Sequence, residues 1–443
     1  MAKFQPMKHI KKAFRSVYNR AEQYVKSFSR QTDVALSDEP IDFSSPSIPY
    51  YENLANRLSF VRIIIYMVLF VFVVGAVISN HELITYENVY YLAKDISAAT
   101  LTAQSQADHI SYPISSSKAD FSLYRGGIVA AGGQVVTAMS GSGRQTLSVN
   151  VAYAQPQVRT SDQYFITFGR GEQSFSVYNS FVRVKHFETE YPVYDAAVAD
   201  NGYFAVLTRS RDYTSDVMIY DADMNHLATH HLNGYVTALS MNRDGDYLGI
   251  LSSEAKNGEW TSTVTVIRLG KKISMNTATV MGAFGSAGGF VADNRFAVIL
   301  SDRVMVFAPD ATVSGEAMFE GNAPLLCAIG NGRIAVLYES ATDLNRSILH
   351  VYDKKAASVY KMDHIDSTHP ISGAETMAFG GNALFVKAGE QLIRVSVSGD
   401  SFTAASISRD TLDILPVDGD NLLVCTPAYA MRLDKNDFAE PIS

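Results

Sequence analysis

The sequence is poor in cysteine, in tryptophan and in charged residues. Its 443 residues include two Cys, and neither belongs to a Cys-x-x-Cys pair or a Cys/His cluster, which excludes a disulfide framework and a structural zinc site. Charged residues make up 19% and hydrophobic residues 47%, so the chain is not largely disordered and has ample material for a core. The 13 Pro and 29 Gly are too few for a collagen-like or low-complexity protein.

Charge and hydropathy divide the chain into unequal parts. Residues 1–62 carry ten Lys/Arg against six Asp/Glu, whereas the remainder has a net charge of −12, and residues 63–79 carry no charge at all. Together with residues 59–62, this run is long enough for a helix across a hydrocarbon core of ~30 Å. The alternative is a buried core helix, but an aliphatic run of this length is typical of a membrane span. The sequence therefore predicts a transmembrane helix over residues 57–80.

The basic residues lie on one side of this segment and predict its orientation. Eight Lys/Arg precede residue 31 with only Glu22 against them, whereas Lys94 and Lys118 are the only ones between the span and Arg125. The positive-inside rule places the N-terminus in the cytosol and residues 80–443 outside the cell. No Ala-x-Ala-like site follows the apolar run, so we expect an uncleaved anchor in the lipid bilayer rather than a signal peptide. The acidic outer part argues against nucleic-acid binding.

The segments on either side of the anchor have distinct patterns. Residues 1–30 contain apolar side chains at alternating spacings of four and three, which predicts a basic amphipathic helix. This helix would lie on the anionic cytoplasmic leaflet or, alternatively, pair in a short coiled coil. Residues 31–56 are rich in Pro, Ser and acids and predict a flexible linker, and residues 81–107 predict a juxtamembrane stalk helix. The apolar positions of the first helix are Ile10, Phe14, Val17, Ala21, Tyr24 and Phe28.

From residue 108 to residue 437 the chain repeats one pattern, a tight turn followed by an apolar strand. The repeats are spaced by about 36 to 50 residues, which is typical of propeller blades. A sandwich would exhaust its strands in about 100 residues, whereas a radial array keeps adding them. We expect an all-β, eight-bladed β-propeller, with seven blades as the alternative. The eight instances of a turn followed by an apolar strand are residues 125–132, 161–168, 200–207, 243–251, 292–300, 330–338, 380–388 and 418–426.

The last repeat has material for three strands only. They are contained in TLDILPV, NLLVCTP and AMRLDKN, after which the chain nearly ends. The missing outer strand can come from HISYPIS, residues 109–115, which precede the first blade. This arrangement would close the ring by joining both ends of the propeller in one blade.

Several segments resemble a known family. The anchor, the YPIS strand, YNSFVRV (178–184) and NGYFAVLTRSRDY (201–213) are similar to those of single-pass membrane-anchored propellers from Gram-positive bacteria. That family is catalogued as a domain of unknown function with a WD40/PQQ-like repeat, and the resemblance covers about residues 57–437. It implies a bacterial cell-surface propeller and no particular activity. A quinone-dependent propeller enzyme would be expected to stack Trp-rich repeats around its cofactor, whereas Trp260 is the sole tryptophan, so we expect no cofactor.

Candidate metal and thiol sites are weak in this sequence. His230 and His231 are adjacent, and adjacent strand residues face opposite sides of a sheet, so they would not converge on one metal. The triplet Asp221, Asp223 and Asn225 resembles the start of a calcium loop, but it lacks the Gly and the distal Glu and suits a hairpin turn better. We expect no metal. Cys327, in the innermost strand of blade six, and Cys425, in blade eight, should both be buried single thiols.

Long loops on one rim of the propeller are the best candidate site. Connections between second and third strands are long in blades three (208–216), four (252–263) and six (339–347), and recognition usually resides in such loops. Arg209, Arg211, Tyr213 and Trp260 lie in them and are of the types that dominate interface hot spots. We therefore expect a non-enzymatic module that binds an unidentified protein or cell-wall ligand. The alternative is a hydrolase, lyase or quinone-dependent dehydrogenase with channel carboxylates such as Asp195 or Asp244.

Overall fold

The chain forms two units, residues 1–85 and residues 86–443. The computed structural model describes residues 58–72, 108–114, 118–270, 272–292, 294–342, 347–362, 373–381, 383–399, 401–418, 421–438 and 440–441. The predicted amphipathic helix over 1–30, the linker over 31–56 and the stalk helix over 81–107 lie outside these residues and stay predictions.

The first unit contains a helix, α1, over residues 58–72. Its apolar side chains are exposed, among them Val68 and Phe72. Arg62 donates a hydrogen bond from Nε to the Tyr66 hydroxyl, four residues later, at 3.2 Å. Among the described residues, no helix reaches the length and apolar character needed to cross a membrane. The anchor over 57–80 continues beyond the described part of α1 and also stays a prediction.

The described part of the second unit folds into eight antiparallel sheets, which confirms eight blades and makes the seven-bladed alternative wrong. Each sheet is one blade; seven blades have four strands and blade seven has five. The strands are numbered from β1 (His109–Ser111) along the chain. Blade one consists of β2 (Asp120–Tyr124), β3 (Gly127–Ala131), β4 (Val135–Met139) and β5 (Gln145–Asn150), and blade two of β6 (Pro156–Thr160), β7 (Phe165–Gly169), β8 (Ser174–Tyr178) and β9 (Arg183–Glu188). Blade three consists of β10 (Val193–Val198), β11 (Phe204–Arg209), β12 (Ser215–Tyr220) and β13 (His226–Leu232), and blade four of β14 (Tyr235–Met241), β15 (Tyr247–Lys256), β16 (Glu259–Arg268) and β17 (Ser274–Met281).

Blades five to eight follow the same order, from the innermost strand outward. Blade five consists of β18 (Gly285–Ala292), β19 (Arg295–Leu300), β20 (Arg303–Phe307) and β21 (Val313–Met318), and blade six of β22 (Gly321–Gly330), β23 (Arg333–Ser340), β24 (Ser347–Asp353) and β25 (Ser358–Met362). Blade seven contains β26 (Ala374–Gly380), β27 (Ala383–Ala388), β28 (Gln391–Ser396) and β29 (Phe402–Ser406), and blade eight contains β30 (Asp413–Asp418), β31 (Asn421–Cys425) and β32 (Tyr429–Leu433).

The ring closes through β1, as the sequence predicts. This strand pairs antiparallel with β32, with Ile110 opposite Ala430, and so becomes the outer strand of blade eight. Ile110 is completely buried, and the Tyr112 hydroxyl donates to the carbonyl oxygen of Thr426 at 2.5 Å. Both ends of the propeller chain therefore share one blade.

One strand of the propeller has no counterpart in the sequence-based prediction. After a single 3₁₀ turn at Lys435–Asp437, β33 (Glu440–Pro441) pairs with β29 as a fifth strand of blade seven. A two-residue strand carries no periodicity that a sequence pattern can report.

The second strand of each blade forms the core, since neighbouring blades cover both of its faces. Every residue of β3 and β7 is buried, which explains why these strands read as continuous apolar runs. Between blades two and three, Phe204 stacks on Tyr220 with ring centroids 4.6 Å apart and meets Phe175 edge-on at 6.0 Å. Clusters of this kind occupy the spaces between blades.

Connections between first and second strands form one face, here called the turn rim, with turns such as residues 161–164, 199–203 and 242–246. Hydrogen bonds join these turns from blade to blade. The backbone N–H of Asp162 donates to Asp200 Oδ1 at 2.6 Å, and Arg243 donates to both carboxylates. The opposite face, the loop rim, carries the connections between second and third strands and between successive blades, such as residues 210–214 and 257–258.

The predicted long loop of blade four is wrong. Strands β15 and β16 run on to Lys256 and Glu259 and are joined by Asn257 and Gly258 alone. Both turn residues have positive φ, 54° and 88°, as a two-residue hairpin turn of type I′ requires. The Asn-Gly pair was visible in the sequence and is the strongest short hairpin signal. Blade three has its loop over residues 210–214, whereas the loop of blade six lies partly outside the described residues.

Candidate binding cleft

A cavity of about 650 Å³ opens on the loop rim between blades two, three and four, and we call it the cleft. Blade two contributes residues of β6 and of the turn after β7, blade three contributes β10 and the loop after β11, and blade four contributes the start of β14. The residues that line the cleft are Gln157, Arg159, Arg170, Tyr194, Asp195, Leu207, Thr208, Arg209, Ser210, Arg211, Tyr213, Thr214, Ser215, Tyr235, Val236, Thr237 and Ala238.

Three of the four predicted site residues line this cleft. Arg209 ends β11, and Arg211 and Tyr213 lie in the loop that follows. The fourth, Trp260, lies on β16 opposite Ala255 and does not line the cleft. The structure thus brings Arg209, Arg211 and Tyr213 together and leaves Trp260 on a separate hairpin.

The loop that carries Arg211 and Tyr213 is held at both ends by hydrogen bonds. At its start, the backbone N–H of Arg209 donates to the carbonyl oxygen of Pro192 at 3.1 Å. At its end, the Thr214 hydroxyl donates to the carbonyl oxygen of Asn233 at 2.6 Å. The Tyr213 ring stacks on His231 with centroids 4.8 Å apart and planes 19° apart. The aromatic face offered to the cleft is therefore pre-positioned.

Arg159 lines the cleft and forms ion pairs with two aspartates. Its Nε donates to Asp195 Oδ1 at 2.9 Å, and its NH1 lies 3.5 Å from Asp120 Oδ2. Because Asp120, Arg159 and Asp195 stand on β2, β6 and β10, this one guanidinium connects the innermost strands of three blades. The Asp195 carboxylate also accepts the backbone N–H of Ala196 at 2.9 Å.

Bulges recur near the start of the innermost strands of five consecutive blades. The register shifts by one residue in β10, β14, β18, β22 and β26, and it shifts a second time in β18 and in β22. A bulge inserts an extra residue and re-aims its side chain, and this position is at the channel mouth on the loop rim. Two of the five bulged residues, Tyr194 and Thr237, line the cleft. The five residues are Tyr194, Thr237, Ser286, Leu325 and Glu375. The additional shifts lie at Val291 in β18 and between Gly321 and Pro324 in β22.

The channel carboxylates proposed for an enzyme do not come together. Asp195 lies near the start of β10 on the loop rim, whereas Asp244 lies in the turn between β14 and β15 on the turn rim. A different pair lies at the channel: burial raises the pKa of Asp413 to about 6, and the nearby Asp120 charge adds to the effect. Burial also raises the pKa of Asp120, although Arg159 opposes it.

The weak metal candidates fall on ordinary secondary structure. Asp221, Asp223 and Asn225 form the turn between β12 and β13, where the Asn225 N–H donates to Asp221 Oδ1 at 2.8 Å. His231 Nδ1 lies 2.6 Å from Asp216 Oδ1, while burial lowers the pKa of His230. Within the described ranges, no three His, Cys, Asp or Glu side chains lie close enough together to hold a metal ion.

Both cysteines are free thiols, as expected. Cys425 on β31 is fully buried, and its burial raises the pKa of the thiol well above the usual value. Cys327, on the innermost strand β22, is only partly buried, so the prediction of burial was wrong for this residue. Innermost strands face the channel on one side, which leaves their side chains half covered.

Sequence reasoning missed much of the cleft. Arg159, Arg170, Tyr194 and Tyr235 line it, but they come from blades two to four and are separated by up to 76 positions in the sequence. Arg159 and Tyr194 lie on the innermost strands β6 and β10. No local pattern reports that these strands converge on one cavity.

The fold and the cleft define an eight-bladed propeller with a polar cavity on one rim. The chain belongs to the family described as "Family of unknown function (DUF5711)", whose model matches residues 102–432. No curated protein matches the chain.

Solved structures show the same fold at low identity. Apo AztD from Citrobacter koseri is 13% identical with a TM-score of 0.50, and the match covers 66% of this chain and 86% of that one. BamB from Moraxella catarrhalis is 10% identical with a TM-score of 0.50, covering 74% of this chain and 99% of that one. Likeness at this level concerns the propeller architecture alone.

Proposed function

We propose that the protein is a membrane-anchored, extracytoplasmic propeller that binds a protein or cell-wall ligand in the cleft and has no enzymatic activity. The cleft on the loop rim carries this proposal, because it combines a cavity of about 650 Å³ with exposed Arg and Tyr side chains. Arg and Tyr are enriched at binding hot spots, and cavities of this size are typical of ligand sites.

Charge and hydropathy support the anchor. The apolar run over 63–79 is preceded by ten Lys/Arg, and α1 covers part of it with exposed apolar side chains. Lipid tails are the natural surroundings for such a surface.

Protease accessibility tests the topology. Protease added to intact cells should degrade a C-terminal tag on the propeller and spare an N-terminal tag, because residues 80–443 are proposed to lie outside. Permeabilised cells, in which both tags should be lost, serve as the control. A protected C-terminal tag in intact cells would overturn the topology.

We also propose that residues 1–30 couple the propeller to the cytosol as an amphipathic helix on the inner surface of the membrane. A peptide of residues 1–50 should bind vesicles of anionic lipid and become helical, because its apolar stripe lies opposite its basic residues. Phe14→Asp with Val17→Asp should abolish both effects. A wild-type peptide that neither binds nor folds would show that this segment is not a membrane-surface helix.

Site-specific photocrosslinking in living cells tests the cleft. A photoreactive amino acid at Tyr213 should form an adduct with the ligand, whereas the same amino acid at Asp244 on the turn rim should not. Adding Arg209→Gln and Arg211→Gln should reduce the Tyr213 adduct, because these side chains line the same cleft. Equal adducts at both sites, or none at Tyr213, would refute a binding role of the cleft.

A further inference from the structure

We propose that the cleft selects an acidic peptide segment, one in which Asp or Glu side chains are interspersed with apolar ones. This inference rests on the proposed function and names the chemical class of its ligand. It follows from the charge of the cleft and from the aromatic surfaces beside it.

The cleft is basic although the protein is acidic. Four arginines and one aspartate line it, a net formal charge of +3, in a chain whose net charge is −8. The one carboxylate, Asp195, is already engaged by Arg159 and by the backbone N–H of Ala196. It therefore offers little repulsion to an incoming anion.

The remaining three arginines are available. Arg170, Arg209 and Arg211 are exposed, and none of them forms an ion pair with another residue that the structure describes. Asp212 follows Arg211 in the chain but does not line the cleft. Arginine presents a planar fork that matches a carboxylate with two parallel hydrogen bonds. Three such forks around one cavity favour a ligand with several carboxylates.

Three tyrosines at the cleft favour a peptide over a simple anionic polymer. Tyr194, Tyr213 and Tyr235 have exposed fractions of 38%, 45% and 71%. Their rings offer apolar faces and hydroxyl groups together, which suits side chains and backbone of a polypeptide. Tyr213 is held in place by stacking on His231. Tyr194 is the extra residue of the bulge in β10 and lines the cleft. A polyphosphate chain has no apolar part to use these surfaces.

Selection from a random-peptide phage library tests the inference. The full-length chain is immobilised through an N-terminal tag and challenged with the library. The recovered peptides should be enriched in Asp and Glu next to an aromatic or aliphatic residue. A synthetic peptide of the recovered sequence should bind about 10- to 100-fold more weakly to the Arg209→Gln/Arg211→Gln variant, because hydrogen bonds to charged groups are lost.

A matched control removes two arginines elsewhere. Arg183 on β9 and Arg268 on β16 are exposed strand residues that do not line the cleft, so Arg183→Gln/Arg268→Gln should leave the affinity unchanged. The same net charge change in both variants separates a local effect from overall electrostatics.

Three results would overturn the inference. They are recovery of neutral or basic peptides, equal weakening in both double variants, and tight binding of inorganic polyphosphate without any acidic peptide. Failure of the proposed function is distinguishable, since it would show as a missing Tyr213 adduct in cells. An adduct at Tyr213 together with neutral selected peptides would reject the acidic ligand alone.

Discussion

The Trp260 ring meets Phe284 edge-on, with ring centroids 4.9 Å apart and planes 68° apart. Trp260 belongs to blade four and Phe284 to the connection that leads into blade five. The Trp260 backbone carbonyl also accepts the N–H of Gly282 at 2.8 Å. The sole tryptophan thus joins its hairpin to the next blade, although 47% of its surface remains exposed.

Replacing Trp260 with Ala should lower the free energy of unfolding by about 1–2 kcal/mol, because the aromatic pair and part of its buried area are lost. Affinity for a cleft-bound peptide should stay the same, since Trp260 does not line the cleft. Denaturant titration and peptide titration measure the two effects, with Trp260→Phe as the control that keeps an aromatic ring. Loss of affinity without loss of stability would instead place Trp260 in the binding site, beside Arg209, Arg211 and Tyr213.

Gly258 sets the hairpin turn that extends blade four. Its φ is +88°, and a Cβ at this position would meet no atom within 4 Å, so any penalty for a side chain is conformational. Gly258→Ala should therefore destabilise the protein by roughly 1 kcal/mol. Asn257→Gly, which keeps positive φ accessible, should be nearly neutral. An unchanged denaturation midpoint for Gly258→Ala would mean that the turn is not held in this conformation in solution.

Ring closure depends on β1. Ile110 is completely buried in the cluster that joins blades eight and one, so Ile110→Ala should cost about 2–5 kcal/mol. Ser111→Ala, on the exposed face of the same strand, should change stability by less than about 0.5 kcal/mol.

A chain starting at residue 118 should aggregate through the uncovered edge of β32, while one starting at residue 105 should not. Light scattering that is equal for the two truncated chains would contradict the role of β1.

Asp413 should make stability depend on pH. Burial raises its pKa from 3.8 to about 6 in the folded state, so the folded protein holds this proton more tightly than the unfolded chain. The stability it contributes is full below about pH 4 and is lost as the pH rises through about 6. Asp413→Asn, which stays neutral, should gain up to roughly 3 kcal/mol over the wild type at pH 8.

The measurement is the difference in unfolding free energy between Asp413→Asn and the wild type at pH 4, 6 and 8. This difference should increase with pH, because only the wild type must ionise a buried carboxyl group. Asp223→Asn, at an exposed turn position, serves as the control for the loss of one carboxylate. A constant difference for Asp413→Asn would show that this carboxyl titrates normally.

The number of blades and the ring closure could be predicted from the sequence because they rest on local patterns. Each second strand is buried on both faces and therefore reads as an apolar run after a turn, as in residues 204–207. The final repeat lacked a strand, and the only β-rich segment before the first blade was HISYPIS. Likewise, Arg209, Arg211 and Tyr213 could be placed near one another from the sequence, because they lie close together at the end of β11 and in the loop that follows.

The arrangement of the cleft was decided by the tertiary structure. Arg159 and Tyr235 are 76 positions apart in the sequence and line one cavity only because successive blades place their innermost strands around a common channel. One-residue bulges in β10 and β14 aim Tyr194 and Thr237 toward it, and alternation along a strand does not reveal a bulge. The sequence alone determined the class of the fold through local burial and turn chemistry. Which polar side chains meet depended on long-range packing between blades, which no local pattern encodes.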